Sequence, residues 1–416
     1  MDNTDKKIKD HKTIGQELEL FFTHETAPGA PFWLPKGMVI FKQLEKYIRQ
    51  LTDENGYLET STPIMVKSQL FKESGHWEKF GEHNMYNLVL SEEENDEHPV
   101  NYTLKPMNCP ESTILYRFRT RSYKELPLRF SELGRLHRRE KSGEVNGLLR
   151  VRQITMDDAH IYATEDQILD EINNILEMMI EFYNSFGFEF EFRLATRPKV
   201  FAGTESNWTR AEKDLEKALK SKSLTFTIKD QDGAFYGPKI DVHIKDALGR
   251  EWQLATVQLD FHQPEAFKLA YIDSDGKEKR PVMIHRAIFG SFERFLGILT
   301  EHYQGAFPLW LSPIQVAILP ISDTLLESAQ KANQELLRKG IRSEVNIANQ
   351  TLGAKIREAT LQKVPYLVII GNKEESESKS VGKPIVSVRT LSGEDLGQMA
   401  LDSFLKRLEE EIEKKL

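Results

Sequence analysis

Two arginines at short spacing in this chain could bind an anion. Two acidic residues near them could bind an amino group or a metal ion. The stretch "RLHRREKSGEVNGLLRVRQITMDDAHIY" (135–162) is typical of two strands joined by the polar turn "KSGEVNG". Strand side chains alternate, so Arg138 and Glu140 are predicted on one face, with Arg150 and Asp158 returning beside them. Arginine pairs bidentately with phosphate or carboxylate, and a carboxylate can hold an amino group or a metal ion. The pattern predicts an anion-binding sheet surface, although such Arg–Glu pairs also occur on ordinary surfaces.

The charge distribution points to the same region. The 416-residue chain has a net charge of −8, yet residues 117–152 contain eleven basic and four acidic residues, a local net charge of +7. A basic block of this kind forms either a solvated face or a site for phosphates.

The only cysteine, Cys109, lies in "LKPMNCPEST" (104–113). It could be a buried core residue, which is the commoner role, or a nucleophile or a metal ligand. A single cysteine argues against a disulfide-built secreted protein. The polar N-terminus lacks a secretory or transit signal, and no apolar run is long enough to cross a membrane. We therefore expect a cytoplasmic protein with no membrane partner.

Alternating and helical patterns predict the elements of a first domain. Helices are expected at 37–56, 165–187 and 285–303, and strands at 127–140, 148–163, 188–195, 239–246 and 251–261. Long alternating strands without a helix between each pair predict an antiparallel sheet with flanking helices. The fold class is therefore α+β.

The pattern changes at "GAFPLWLSPIQ", which predicts a linker near 306–313 and a domain boundary between residues 307 and 308. Beyond it, strands are predicted at 315–321, 341–347, 365–371 and 384–390, with helices at 323–339, 352–363 and 396–416. Residues 372–383 are expected to form a flexible loop. Alternating strands and helices predict a small α/β domain whose mixed sheet is largely parallel.

Several segments in the right order resemble a known family. "RREKSG" followed by "LLRVRQITMDDAHIY" resembles motif 2 of the class II aminoacyl-tRNA synthetases, and "MIHRAIFGSFERFLGIL", with Gly290, Ser291 and Arg294, resembles motif 3. The helix from Gly37 and "YLETSTPIM", with Pro63, resemble motif 1, the dimer-interface element. "ESGHWEKFGEHNMY", "LKPMNCPES", "AFYGPKIDVHI" and "EWQLATVQLDF" make the chain similar to threonyl-tRNA synthetases over nearly its whole length.

The resemblance implies a threonine–tRNA ligase that forms threonyl-adenylate from L-threonine and ATP and charges tRNA(Thr). It implies a class II catalytic domain at 1–307, an anticodon-binding domain at 308–416 and a homodimer. It also implies one Zn²⁺ per subunit, held by Cys109, His160 and His285, whose gaps of 51 and 125 residues match no local zinc-binding spacing. In this family the zinc binds the amino and hydroxyl groups of threonine, which excludes valine but not serine.

Further roles are carried over by the same resemblance. Arg138 and Arg294 are the implied catalytic residues. The implied ATP-binding residues are Arg138, Glu140, Arg150, Gln253 and Arg294, with Mg²⁺ at the phosphates. The implied threonine-binding residues are Met107, Asp158, Tyr236, Thr256 and Gln258, with Lys239 and Asp241 as weaker candidates. Asn349, Arg357, Glu374 and Arg389 are candidates for reading anticodon bases, since these side chains suit exposed base edges.

The sequence departs from the family at three points. Met156 replaces a glutamine that helps to hold the threonine carboxylate, and Ile154 replaces a phenylalanine that stacks on adenine. The chain also begins just before the catalytic domain, as a natural short form or an excised piece lacking the N-terminal and editing domains. Such a form is expected not to clear Ser-tRNA(Thr) by itself. The alternatives are another class II ligase, such as the proline or serine enzyme, and a non-catalytic regulatory relative, which the retained Arg138, Glu140 and Arg294 disfavour.

Overall fold

The structure is a computed structural model that describes residues 8–90 and 100–415. The described chain divides into two compact units. One contains Thr23–Pro31 and Ile48–Ile298, and the other contains the residues up to Phe22, Phe32–Tyr47 and the chain from Leu299 onward. The domain boundary predicted between residues 307 and 308 stays a prediction.

Within the described residues, the helices are α1 His11–Glu17, α2 Pro35–Glu54, α3 Gln69–Glu73, α4 Cys109–Arg117, α5 Ile168–Ser185, α6 Glu205–Ser221, α7 His262–Ala266, α8 Phe292–His302, α9 Leu326–Arg338, α10 Leu352–Leu361, α11 Asn372–Val381 and α12 Leu401–Glu413. The strands are β1 Phe21–Thr23, β2 Pro31–Trp33, β3 Leu58–Glu59, β4 Met65–Lys67, β5 Tyr86–Leu90, β6 Val100–Leu104, β7 Arg121–Ser122, β8 Leu128–His137, β9 Gln153–Ala163, β10 Phe190–Ala195, β11 Phe226–Lys229, β12 Lys239–Lys245, β13 Glu251–Asp260, β14 Tyr271–Ile272, β15 Glu278–Lys279, β16 Val282–Ala287, β17 Val316–Pro320, β18 Ser343–Val345, β19 Tyr366–Ile370, β20 Ile385–Thr390 and β21 Asp395–Ala400.

An eight-stranded sheet in the order β11-β10-β12-β13-β16-β9-β8-β3 dominates the unit that contains residues 48–298. The outer pairs β11–β10 and β3–β8 are parallel, and every pair between them is antiparallel. The predicted antiparallel sheet with flanking helices, and with it the α+β class, is confirmed.

Helix α5 supports this sheet through an apolar stripe. Its buried residues Ile168, Ile172, Ile175 and Met179 recur at three- and four-residue intervals, as expected for one helix face. Phe182 stacks on Phe289 with ring centroids 5.2 Å apart. The helix therefore anchors the segment that joins β16 to α8. Each fully buried aromatic side chain contributes about 1.5–3 kcal/mol to such packing.

The sheet of the C-terminal region has the order β18-β17-β19-β20-β21. Its first three strands are parallel, and the last two pairings are antiparallel. The mixed sheet is confirmed, but the largely parallel arrangement is limited to three strands. One buried cluster joins this sheet to α9 and α12, and a second includes Ala359 of α10.

The predicted helix at 285–303 is wrong over its first seven residues. Residues up to Ala287 belong to β16, and α8 begins at Phe292. Every residue of β16 is buried, because the strand lies inside the sheet with both faces covered. The residues of β16, which include His285 and Arg286, do not alternate between apolar and polar, so the sequence has no period that distinguishes a strand from a helix.

Two predictions in the C-terminal region are also wrong. The expected loop at 372–383 contains α11, which begins with the Glu374 carboxylate accepting a hydrogen bond from the Gly371 N–H at 2.9 Å. The expected helix at 396–416 begins only at Leu401, because Asp395–Ala400 pairs with β20. In the second case pairing with a neighbouring strand overrides the local helical pattern. No helix in the described ranges is both long enough and apolar enough to cross a membrane.

Candidate active site

A cavity of about 340 Å³ lies on the polar face of the eight-stranded sheet. Most of the residues predicted to bind threonine and metal are in its wall, together with several that were not predicted. The described residues lining it are His76, Lys79, Phe80, Met107, Cys109, Leu136, Arg138, Met156, Asp158, His160, Ala234, Phe235, Tyr236, Thr256, Gln258, His285, Arg286 and Ala287.

Strand register brings two histidines together in this cavity. His160 on β9 lies directly opposite His285 on β16, and their rings are 5.1 Å apart between centroids. Cys109 joins them from the first turn of α4. One ligand atom from each of the three buried residues lies within 4.8 Å of the other two. Sulfur and imidazole ligands in this number suit a zinc ion with one open coordination position.

The surroundings favour neutral imidazole at His160. Burial is the main cause that holds the pKa of His160 well below its usual value, and His285 and Arg286 act in the same direction. Burial raises the pKa of the Cys109 thiol, so without a cation the sulfur keeps its proton. A bound cation would reverse this, because metal ligation requires the thiolate and releases the proton.

Asp260 supports the cluster from behind. Its Oδ2 accepts a hydrogen bond from Nε2 of His285 at 2.9 Å, and its Oδ1 accepts from the N–H groups of His262 and Gln263. Burial acts to raise the pKa of Asp260, but the bond from His285 and the N–H donors hold it below the ordinary value. A carboxylate that only accepts leaves Nδ1 of His285 with its lone pair free, as in many zinc sites.

Adjacent aspartates face opposite sides of the sheet. Asp158 lines the cavity, and its Oδ2 accepts a hydrogen bond from Nδ2 of Asn108 at 2.9 Å. The amide of Asn108 fits there because Gly134 has no side chain, since a Cβ at Gly134 would lie 2.4 Å from Asn108 atoms. Burial raises the pKa of Asp158. Asp157 faces away from the cavity and pairs with Arg286 at 2.6 Å.

Arg138 and Glu140 lie beyond the strand on which they were predicted. Strand β8 ends at His137, although the N–H of Arg138 still donates to the carbonyl of Arg152. The predicted alternation on one strand face is therefore wrong here. The Nε of Arg138 donates to the carbonyl of Pro106 at 3.1 Å, which directs the guanidinium into the cavity wall. Burial lowers its pKa.

Of the five predicted nucleotide-binding residues, Arg138 lines the cavity. The other four are not among the described residues that line it: Glu140, Arg150, Gln253 and Arg294. Arg150 donates to Glu140 at 2.7 Å and to Glu144 at 2.9 Å. The Nε of Arg294 donates to the carbonyl of Leu149, and its guanidinium lies over the ring of Trp252. Burial lowers the pKa of Arg294, and the charges of Arg138 and Arg150 lower it further.

Six of the predicted residues share one hydrogen-bonded network. Tyr236 donates to Gln258, and Nε2 of Gln258 donates to Oγ1 of Thr256 at 3.1 Å. Thr256 and Gln253 both donate to Oδ1 of Asp241, at 2.8 and 2.7 Å. Lys239 pairs with the same carboxylate at 2.6 Å. The network connects the cavity to a buried aspartate in β12.

Sequence reasoning assigned no role to His76, Phe235, Asp260 or Arg286. His76 lies in the quoted segment "ESGHWEKFGEHNMY" and has its Nε2 3.8 Å from the sulfur of Cys109. Burial lowers the pKa of His76 to about 4. Its signal was a histidine inside a matched motif, whereas Asp260 had no signal beyond its place at the end of a predicted strand.

The anticodon candidates differ in exposure. Asn349 and Arg357 are exposed, and Arg389 is half-buried with an ion pair to Asp395. Glu374 is buried, and its carboxylate accepts hydrogen bonds from Ser387, Gln398 and the Gly371 N–H. Glu374 therefore has a structural role, and its role in reading the anticodon stays a prediction.

Two family models match the chain. Residues 90–303 match the tRNA synthetase class II core domain (G, H, P, S and T), and residues 315–411 match the anticodon binding domain. The chain is 46% identical over 410 residues to threonine–tRNA ligase of Clostridium acetobutylicum and 47% identical over 410 residues to that of Clostridium tetani. It covers 62% of the length of each, and 99% of this chain is matched.

Solved structures give the same assignment. A structure described as the RNA binding domain of threonyl-tRNA synthetase from Cryptosporidium parvum Iowa II superposes with a TM-score of 0.90 at 37% identity, covering 97% of this chain and 98% of that one. A putative threonyl-tRNA synthetase from Aeropyrum pernix superposes with a TM-score of 0.82 at 28% identity, covering 98% and 97%.

Proposed function

The chain belongs to the class II tRNA synthetase family, and from this premise we propose that it is a threonine–tRNA ligase. In the proposed reaction L-threonine and ATP give threonyl-adenylate and pyrophosphate, and the threonyl group then passes to the 3′-terminal ribose of tRNA(Thr). The names of the similar ligases from the two Clostridium species support this proposal.

The proposal rests on the set of side chains that line one cavity. Cys109, His160 and His285 meet there, with Asp158 and Arg138 in the same wall. This set offers a metal position, a carboxylate that can accept a hydroxyl proton and a guanidinium for a carboxylate. A small amino acid with a side-chain hydroxyl matches all three.

Cys109, His160 and His285 would hold the zinc ion. When bound, the zinc ion would act as a Lewis acid for the amino and hydroxyl groups of threonine. The methyl group of valine has no lone pair and could not bind to it. Asp158 would accept the hydrogen bond from the substrate hydroxyl, and Asn108 keeps that carboxylate in place. Serine lacks only one methyl group, a difference worth about 1–3 kcal/mol in a pocket, so it should be excluded incompletely.

Two arginines would stabilise the charge on the nucleotide. Both Arg138 and Arg294 use Nε to bind a backbone carbonyl, which leaves the terminal nitrogens of each to bind an oxyanion. The mutual repulsion that lowers the pKa of Arg294 would be relieved by the ATP phosphates with their Mg²⁺. Arg138 would also neutralise the threonine carboxylate as it attacks the α-phosphate. Glu140 would contact the adenine amino group, and Arg150 and Gln253 would complete the nucleotide site.

Amino-acid-dependent ATP–pyrophosphate exchange tests the proposal. We expect strong exchange with threonine, weak exchange with serine, none with valine or proline, and loss of exchange after zinc is chelated. His160→Ala should abolish exchange, whereas His243→Ala should retain it, because His243 is not among the described residues lining the cavity. Preferred exchange with proline or serine would point to another class II ligase. No exchange with any amino acid by folded, zinc-loaded protein would overturn the proposal.

The C-terminal region would recognise the tRNA. We infer that Asn349, Arg357, Glu374 and Arg389 read anticodon bases in a 308–416 domain, which the match at 315–411 supports. Charging of tRNA(Thr) transcripts with altered anticodons tests this, and each substitution should change the base preference rather than the exchange reaction. We further propose a cytoplasmic homodimer, with the oligomeric state to be measured by light scattering.

A further inference from the structure

Asp241 is a buried carboxylate to which the proposed reaction assigns no contact with the substrate or the metal. It lies on β12 with 1% of its surface exposed. In register it lies opposite Thr256 of β13, and Lys239 lies opposite Gln258. Directly opposed residues of an antiparallel pair project to the same face. Asp241 therefore lies on the face of the sheet that carries the cavity residues Thr256 and Gln258.

Its three donors use both carboxylate oxygens. Oδ2 accepts from Nζ of Lys239 at 2.6 Å, and Oδ1 accepts from Nε2 of Gln253 at 2.7 Å and from Oγ1 of Thr256 at 2.8 Å. An ionised carboxylate can only accept hydrogen bonds. The one hydroxyl proton of Thr256 is therefore directed toward Asp241.

This direction is transmitted along the network. The hydroxyl proton of Thr256 is used in the hydrogen bond to Asp241. The oxygen of Thr256 can therefore only accept from Gln258, whose Nε2 lies 3.1 Å away. That orientation turns Oε1 of Gln258 toward Tyr236, whose hydroxyl donates to it. A phenol has one proton. The oxygen of Tyr236 is then left with lone pairs only.

The end of the network lies at the candidate metal site. Tyr236 lines the cavity, and its ring centroid is 5.1 Å from that of His285. We propose that Asp241 is a positioning residue that sets the direction of the hydrogen bonds from Thr256 to Tyr236, so that Tyr236 faces the substrate as an acceptor. This inference rests on the proposed function, and its ligand is the amino group of the amino-acid substrate, whose N–H groups can donate to the oxygen of Tyr236.

Asp241→Asn should reverse the direction. The ammonium of Lys239 can only donate, so the asparagine oxygen faces Lys239 and its amide faces Thr256. Thr256 must then accept from that amide and donate to Gln258, whose amide turns over. The proton of Tyr236 is thereby turned into the cavity, where it opposes the N–H groups of the substrate amine. The exposed amide of Gln253 can turn over without further change.

A double-mutant cycle tests the proposal in the threonine-dependent exchange assay. Asp241→Asn should raise the threonine KM about 5- to 100-fold, the usual effect of leaving a buried donor without an acceptor. Tyr236→Phe removes the phenol oxygen, so adding Asp241→Asn to that variant should change the KM by less than about threefold. Urea unfolding of each variant checks that the protein is folded. Equal effects of Asp241→Asn in both backgrounds would mean that Asp241 only ties β12 to β13, and the proposal would be wrong.

Thr256 provides a second pair if Asp241→Asn does not fold. Thr256→Val breaks the network and should raise the threonine KM, whereas Thr256→Ser keeps the hydroxyl and should restore it to within about threefold of the parent value. Similar KM values for the two variants would overturn the proposal. Failure of the parent protein to exchange with threonine would instead overturn the proposed function, and the network proposal with it.

Discussion

Asp260→Asn should weaken zinc binding at the proposed site, although Asp260 is not one of the three proposed ligands. In the structure Oδ2 of Asp260 faces Nε2 of His285 at 2.9 Å, and Oδ1 accepts the N–H groups of His262 and Gln263 at 2.7 and 3.0 Å. The two backbone donors cannot turn away, so the oxygen of an asparagine must stay with them. Its amide group then faces His285.

The size of the effect follows from the tautomer of His285. Two donors cannot face each other, so Nε2 must give up its proton and Nδ1 must take one. A protonated Nδ1 has no lone pair for a metal. Loss of such an outer partner typically costs 10- to 100-fold in metal affinity, which corresponds to about 1.4–2.7 kcal/mol. Cys109→Ser, which changes a ligand directly, should cost more.

Competition with a chelating dye measures the zinc affinity, and cobalt substitution reports the Cys109 thiolate through its absorption band. Asp246→Asn is the matched control. Asp246 is a buried aspartate that accepts from the N–H groups of Leu248 and Arg250 but has no histidine partner in the described structure. It should lower stability and leave the zinc affinity unchanged. Equal zinc affinity in Asp260→Asn and the parent protein would refute the tautomer argument.

Three further predictions concern affinity, stability and pH. Met156→Gln should lower the threonine KM about 2- to 30-fold in the exchange assay, because a new hydrogen bond to the substrate carboxylate gains about 1.5–3 kcal/mol and burying the amide costs part of it. Met156→Leu cannot donate and should not lower the KM, so equal changes would contradict this reasoning. Asp157→Ala should lower the free energy of unfolding by about 3–5 kcal/mol in urea, because it leaves the fully buried Arg286 unpaired. Glu165→Ala, which breaks the exposed pair with Arg210, should cost at most about 1 kcal/mol, and similar losses would contradict the burial argument. Burial raises the pKa of Glu293 from 4.5 to about 7, so the folded state binds the extra proton and stability should fall as pH rises between these values. In the Glu293→Gln variant the urea unfolding midpoint should depend less on pH between pH 5 and 7.5. An unchanged dependence on pH would show that other groups cause it.

The fold was predictable where one face of an element is apolar and the other is polar. Helix α5 and strand β12 carry such patterns, and both were predicted within a few residues. Strand β16 was not, because it is covered on both faces and its residues, which include His285 and Arg286, do not alternate between apolar and polar. Helix α11 was missed because its sequence, "NKEESESKSV", has no apolar stripe. Its beginning is capped locally, because the Glu374 carboxylate accepts from the Gly371 N–H three residues earlier, a signal that the sequence analysis did not use.

The candidate site shows a different limit. Cys109, His160 and His285 are separated by 51 and 125 residues, and no spacing rule connects them. They meet because β9 and β16 are neighbours in a register that sets His160 opposite His285, and because α4 begins beside them. Register depends on every strand of the sheet at once, so it could not be read from the three residues. Only the resemblance of whole segments to a family indicated that these residues belong together.

Period-two alternation separates Asp157 from Asp158 but does not say which of them faces the cavity. The choice depends on partners far away in sequence. Asp157 needs the buried guanidinium of Arg286, and Asp158 needs the amide of Asn108, which reaches it only over the bare backbone of Gly134. A glycine inside a strand is unfavourable in itself, and its presence often marks close approach by another group. A side chain at Gly134 should therefore disturb Asp158 through Asn108, although neither Gly134 nor Asn108 was among the predicted site residues.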